Sequence, residues 1–275
     1  MLRSSLIAGL VLTSSALAPI SGDTRPTPAP VVWHAASAGV EMGELVLLSS
    51  GAWRTRVIVA RLDPTRVALR VAVSRRDDGR GAWSIDSAPR RALLAVNAGQ
   101  FGTYEPWGWL VRDGAEQQAP GVGPLSAALV VANDGSVRLV PADSIAAVRA
   151  RGDTRQAIQS YPVLLRAGAM PAQLQSAGRG VDLEHRDARL AIGVQRDGRI
   201  VIALTRFDSF GETLGAVPVG PTVPEMAALM RDLECDDAML LDGGISAQLL
   251  ARDAGATRTW RGYRRVPVAL LALPR

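Results

Sequence analysis

The stretch Ala238-Met239-Leu240-Leu241-Asp242-Gly243-Gly244-Ile245-Ser246-Ala247-Gln248-Leu249-Leu250 decides how the rest of the chain is read. Four apolar residues run straight into Asp-Gly-Gly, and an apolar run that short, bounded by turn residues, reads as a buried strand. Glycine reaches backbone angles closed to other residues and lets a neighbouring group approach the main chain. The product is a carboxylate and a hydroxyl presented around a tight turn at a strand end. The same residues also form an ordinary turn, in which Asp accepts backbone hydrogen bonds and Gly supplies positive φ. The run Gly244 to Gln248 lacks the second glycine of a nucleophile elbow. Its base would have to be His34 or His185, so a serine hydrolase is the weaker reading.

Working outward, Thr222-Val223-Pro224-Glu225 is a capping box with proline in the first turn. Met226, Leu229, Met230 and Leu233 follow at helical spacing, so this helix should pack on the sheet and feed the strand before Asp242. Ala92 to Val96 is a second apolar run that delivers Asn97 to the turn Ala98-Gly99, repeating the layout at Asp242. An amide side chain donates and accepts, which suits orienting a sugar hydroxyl or a carboxylate, or capping the turn. Tyr104 to Trp109 concentrates aromatic residues, and Trp107 and Trp109 can stack on a sugar ring or fill the core.

Asp113-Gly114, Asp134-Gly135 and Asp197-Gly198 each sit between short apolar runs, which is a hairpin signal. Glu44 to Leu48, Arg56 to Ala60, Val67 to Val73 and Val163 to Leu165 are further strand candidates, and Asp143 to Ala150 a short helix. No repeat of fixed period is visible. The expectation is an α+β fold, one domain over residues 31–275, with mixed, largely antiparallel sheet and a few packed helices.

Nearly half of the 275 residues are hydrophobic, which excludes a disordered chain. All 31 basic residues are arginine and the net charge is +5. The arginines are scattered with no basic run or nucleic-acid motif, so no nucleic-acid partner is expected. Arg3, the apolar run Leu6 to Leu12, and Ala16 with Ala18 form a signal-peptide pattern over residues 1–18. The run is too short for a stable membrane span. A proline-rich linker over 19–30 follows. Export to the periplasm or the extracellular space is expected. The lone Cys235 excludes an internal disulfide and reads as a small buried apolar residue. No metal or cofactor is expected, since no H-x-x-x-H or EF-hand spacing appears.

Several segments together resemble the phosphodiester glycosidase family, in a compact bacterial form. They are Val96-Asn97-Ala98-Gly99 with Gly108, Gln159-Ser160-Tyr161-Pro162-Val163-Leu164, Arg189-Leu190-Ala191-Ile192-Gly193, and Leu241 to Ser246. The blocks keep the family's order from Ala92 to Leu250, although Ile245 stands where the better-known eukaryotic branch tends to have a third glycine. The resemblance implies hydrolysis of the anomeric bond of a sugar-1-phosphodiester, of the N-acetylglucosamine-1-phosphodiester kind, in envelope or extracellular polysaccharide. Such a reaction needs a guanidinium to hold the phosphate and a carboxylate at the anomeric centre. Asp242, Arg189 and Asn97 are the candidate catalytic residues, and Gly243, Gly244, Ser246, Ser160, Gln159 and Trp107 the candidate substrate contacts. Arg189 also reads as a surface residue paired with Glu184 or Asp187. Asp208 or Glu212 would supply a second carboxylate. The competing readings are a non-catalytic glycan-binding module and a metal-dependent phosphodiesterase.

Overall fold

The computed structural model describes residues 30–49, 53–74, 76–102, 105–207, 219–253 and 255–275. The expected signal peptide, nearly all of the linker, Tyr104, and the loop with Asp208 and Glu212 lie outside the described residues.

Three antiparallel sheets enclose one core. The largest has seven strands in the order His34–Ser37, Val40–Ser49, Trp53–Leu62, Ile200–Phe207, Leu190–Gln195, Cys235–Leu240 and Val163–Leu165. A second has five, in the order Thr257–Trp260, Leu249–Arg252, Leu94–Asn97, Val268–Pro274 and Val67–Val73. A third also has five, in the order Val137–Pro141, Ala127–Ala132, Thr154–Ser160, Leu110–Arg112 and Ala115–Gln118. The short pair Gln100–Phe101 and Pro106–Trp107 completes the described strands.

The two-residue period of a strand decides which side chains meet. In the seven-stranded sheet Ile58, Leu62, Ile192, Ile200, Ile202 and Met239 face inward. There they join Leu94, Val96, Leu249 and Leu270 of the second sheet and Leu110, Leu129 and Ile158 of the third. The alternate residues Val57, Val59, Ala191, Val201 and Ala203 are buried on the opposite face, under the helix Val223–Asp232. That sheet is covered on both sides, which explains why its central strands read as unbroken apolar runs. Each of the buried Val, Leu, Ile and Met side chains contributes about 1.5–3 kcal/mol on burial. Of the two α-helices among the described residues, we call Ala142–Arg151 α1 and Val223–Asp232 α2. α1 covers the third sheet through Ile145 and Val148.

All three Asp-Gly hairpins form as expected, with Gly114, Gly135 and Gly198 at positive φ. α2 has its full capping box, Thr222 Oγ1 accepting from Glu225 N at 3.3 Å and Glu225 Oε2 from Thr222 N at 2.9 Å. Cys235 opens its strand, buried, with its thiol pushed up to about 12 by loss of solvent. The fold is a single α+β domain dominated by antiparallel sheet.

Candidate functional site

The strand Cys235–Leu240 carries the chain past Leu241 to Asp242, alongside the segment that leads into Leu190–Gln195. Pairing continues beyond the regular ladder. Leu241 N donates to Leu190 O at 2.8 Å, and Gly244 N to Ala188 O at 2.7 Å. Residues 187–190 therefore lie against 241–244. A Cβ on Gly243 would come within 2.5 Å of Ala188 O, and one on Gly244 within 2.9 Å of Asp187 Oδ2. Gly244 also sits at φ +55. These contacts give the two glycines a steric reason: only a hydrogen fits where the segments touch.

The contact brings Asp187 beside the turn that carries Asp242. Burial pushes the Asp242 carboxyl up to about 6; Ser246 and Arg264 nearby oppose that rise, and the like charge of Asp187 adds to it. One carboxyl oxygen, Oδ2, is buried without a hydrogen-bond partner among the described residues. Burial also raises Asp187, against the Ala188 amide it accepts from at 2.8 Å and the charges of Arg189 and His185. Two carboxyls held partly out of water in one site do not both ionise at the ordinary carboxylate pH.

Arg189 lies in the same contact. Its Nε donates to Pro221 O at 3.1 Å and its Nη2 to His185 O at 2.6 Å. Those two bonds leave further N–H donors of the guanidinium unused, and no carboxylate is within 4 Å of it among the described residues. It forms part of the wall of a cleft of about 660 Å³ that includes Trp107, Leu125, Tyr161, Pro162, Arg179, Val181 and His185. Trp107 and Tyr161 meet edge to face, ring centroids 4.7 Å apart. Gln100 Nε2 lies 3.3 Å from both Tyr161 O and Leu241 O, tying the cleft edge to the Asp242 turn.

The remaining sequence candidates occupy different places. Asn97 is fully buried, with Nδ2 donating to Asp242 O at 2.7 Å and Oδ1 accepting from Gln248 N at 2.9 Å. It therefore holds the backbone on both sides of the Asp242–Ser246 turn and is a positioning residue; its polar atoms are spent on main chain. Gln159, a candidate substrate contact, is buried with its side-chain amide fully hydrogen-bonded within the protein, which argues against that role. Its Oε1 accepts from Trp109 N and Gly121 N, and its Nε2 donates to Gly121 O and Ser126 Oγ, all at 2.8–3.0 Å. Gly108 is required beside it, because a Cβ there would lie 2.8 Å from Gln159 Oε1. The amide of Gly244, another candidate substrate contact, is committed to Ala188 O. Ser246 is buried next to Asp242, and among the described residues no histidine is its partner. Ser160 is fully buried, with its hydroxyl unpartnered among the described residues.

Two residues without a clear local signal lie at this candidate site. Asp187 reads in the sequence as a surface charge near Arg189. The period-2 rule was the available signal, since in an extended segment residues 187 and 189 share a side. Arg264, whose charge acts on Asp242, comes from a loop 22 residues further on and left no local signal. Among the described residues no group of three or more His, Cys, Asp or Glu is placed to hold a metal ion.

A carboxyl pair with shifted ionisation, guanidinium groups and an aromatic wall can perform acid–base or nucleophilic hydrolysis on an anionic sugar compound. The chain belongs to the phosphodiester glycosidase family, whose model matches residues 90–273. Among solved structures it is similar to the catalytic domain of zebrafish N-acetylglucosamine-1-phosphodiester α-N-acetylglucosaminidase, auto-inhibited by its pro-peptide. That likeness has 20% identity and a TM-score of 0.67, and covers 92% of each chain. A hypothetical protein from Synechocystis aligns at 17% identity and TM-score 0.57, over 90% of this chain and 64% of its own. A Burkholderia pseudomallei protein named for expected export aligns at 18% identity and TM-score 0.51, over 82% and 76%. At these identities the structures speak for the fold. No curated protein matches the chain.

Proposed function

We propose that this chain hydrolyses the bond between the anomeric carbon of a sugar and a phosphodiester. The observation that carries the reading is the backbone pairing of 187–190 with 241–244, which sets Asp187 against the Asp242 turn and two residues from Arg189 in the wall of an aromatic-lined cleft. The free N–H donors of Arg189 hold phosphate oxygens, as a planar guanidinium does well. Trp107 and Tyr161 offer the sugar ring an apolar wall. The Asp242 carboxylate faces the anomeric carbon, as nucleophile or as base toward water. Water supplies the hydroxyl, and the phosphate leaves as a monoester. Its second pKa of about 6 makes it a good leaving group, so a strong general acid is not needed.

The test uses purified protein with methyl-phospho-N-acetylglucosamine. Free reducing sugar and methyl phosphate should appear, with a rate that rises with pH through about 6 as Asp242 loses its proton. Asp242→Ala should reduce kcat/KM by far more than about tenfold, or ~1.4 kcal/mol of barrier; a smaller loss removes Asp242 from the chemistry. Release of sugar phosphate with the anomeric bond intact would mean a phosphodiesterase. Stabilisation by sugar without turnover would mean a binding module.

We also propose that residues 1–18 direct export, with 19–30 as a linker, so that the enzyme works in the periplasm or outside the cell. The support is the charge-then-apolar pattern from Arg3 to Ala18. Among the described residues no helix is long and apolar enough to cross a membrane. N-terminal sequencing of protein recovered outside the cytoplasm should begin near Ala18, and an intact Met1 there would defeat the proposal.

A further inference from the structure

The segment 261–265 passes over the turn that carries Asp242 and is fastened to it. Tyr263 N and Arg264 N donate to Ile245 O at 2.7 and 3.1 Å, and Gln248 Nε2 to Arg264 O at 3.3 Å. Gly262 is pressed so close that a Cβ would lie 2.9 Å from Ser246 O and 3.0 Å from Ile245 O. The three arginines of this segment have different fates. Arg261 pairs with Asp86, and Arg265 donates to Ala82 O at 3.0 Å. Arg264 is exposed, and its guanidinium carbon sits 4.7 Å from the centroid of the Phe101 ring. No carboxylate lies within 4 Å of it among the described residues. Stacking occupies the face of a guanidinium and leaves its edge N–H groups free to meet an anion.

Arg189 is held on a different element, beside Asp187 and the carbonyls of Pro221 and His185. Two guanidinium groups on separate segments therefore flank the Asp242 turn, Arg189 on the segment paired with residues 241–244 and Arg264 on the segment whose amides bond Ile245 O. A single phosphodiester carries one negative charge and needs one clamp. We propose that Arg264 on Phe101 is a second anion subsite, and that the substrate is a sugar whose side remote from the cleaved bond bears another phosphate, as in chains of sugars joined by phosphodiesters. This rests on the hydrolysis reading above, in which Arg189 holds the phosphate that leaves.

Calorimetric titration with glucose, N-acetylglucosamine and their 6-phosphates tests it on the full chain. The 6-phosphates should bind about tenfold more tightly than the neutral sugars, the scale of one charge-assisted contact. Added salt should shrink that preference, since Arg264 is exposed. Arg264→Gln should reduce the preference to about twofold or less, while Arg264→Lys, which keeps a cation over the ring, should retain much of it. Phe101→Leu removes the platform and should act in the same direction as Arg264→Gln. Absence of a phosphate preference in the unaltered protein, or its survival in Arg264→Gln, overturns the inference. Turnover is read separately: an Arg264-dependent preference without hydrolysis defeats only the activity reading, and hydrolysis without the preference defeats only this one.

Discussion

At Asp242 the physical conflict is between the site and the fold. A carboxyl whose pKa rises from 3.8 to about 6 on folding binds its proton more tightly in the native state than in the unfolded one. Its contribution therefore favours the native state most below pH 3.8, and that advantage is lost as pH rises through about 6. Two pKa units correspond to a cost on the order of 3 kcal/mol at neutral pH and above. Asp242→Asn keeps the shape without the charge, so it should unfold at higher denaturant than the parent at pH 8 and at a similar concentration at pH 4. Equal differences at both pH values would show that the Asp242 charge costs the fold nothing. That Asp242 sits in a turn at the end of a buried strand was legible because Asp-Gly-Gly after an apolar run is a local pattern. That Asp187 shares its site was not, because a charged residue five positions before a strand's midpoint reads as surface unless its partner strand is known.

At the scale of elements, α2 is the best-specified piece of the chain, and it does more than cover a sheet. Glu225 closes the capping box and also takes a bidentate bond from Arg186, Nη1 to Oε2 at 2.9 Å and Nη2 to Oε1 at 3.0 Å. Arg186 is the residue before Asp187, so the helix start is bolted to the segment that supplies both Asp187 and Arg189. Glu225 is largely buried, and removing one partner of such a pair strands the other charge. Glu225→Ala should cost about 3–5 kcal/mol, against about 1 kcal/mol for loss of the cap alone by Thr222→Ala. Denaturant unfolding of the two variants decides it, and equal losses would mean that the Arg186 pair contributes nothing. The capping box was readable from four consecutive residues. The Arg186 pair was not, because it spans 39 positions.

At the scale of the molecule, three sheets share one core, and the site forms where the ends of two of them meet. Asn97 ends a strand of one sheet, and the turn it holds follows the last residues of another. Local pattern determined the strands, the Asp-Gly hairpins, α2 with its cap, and the two apolar runs that end in Asn97 and Asp242, because these depend on periodicity and turn chemistry within about ten residues. The strand Val268–Pro274 is apolar throughout, yet nothing local shows that it lies between Val67–Val73 and Leu94–Asn97. Only the tertiary structure decided what each polar group is for. It spent the Gln159 and Asn97 amides on hydrogen bonds within the fold, used Gly243 and Gly244 to let two segments touch, and brought the segments carrying Asp187, Arg189, Asp242 and Arg264 together. The reason is that a side chain's role is set by the groups that replace its water, and for Asn97 those lie 145 and 151 positions away, beyond the reach of any local pattern.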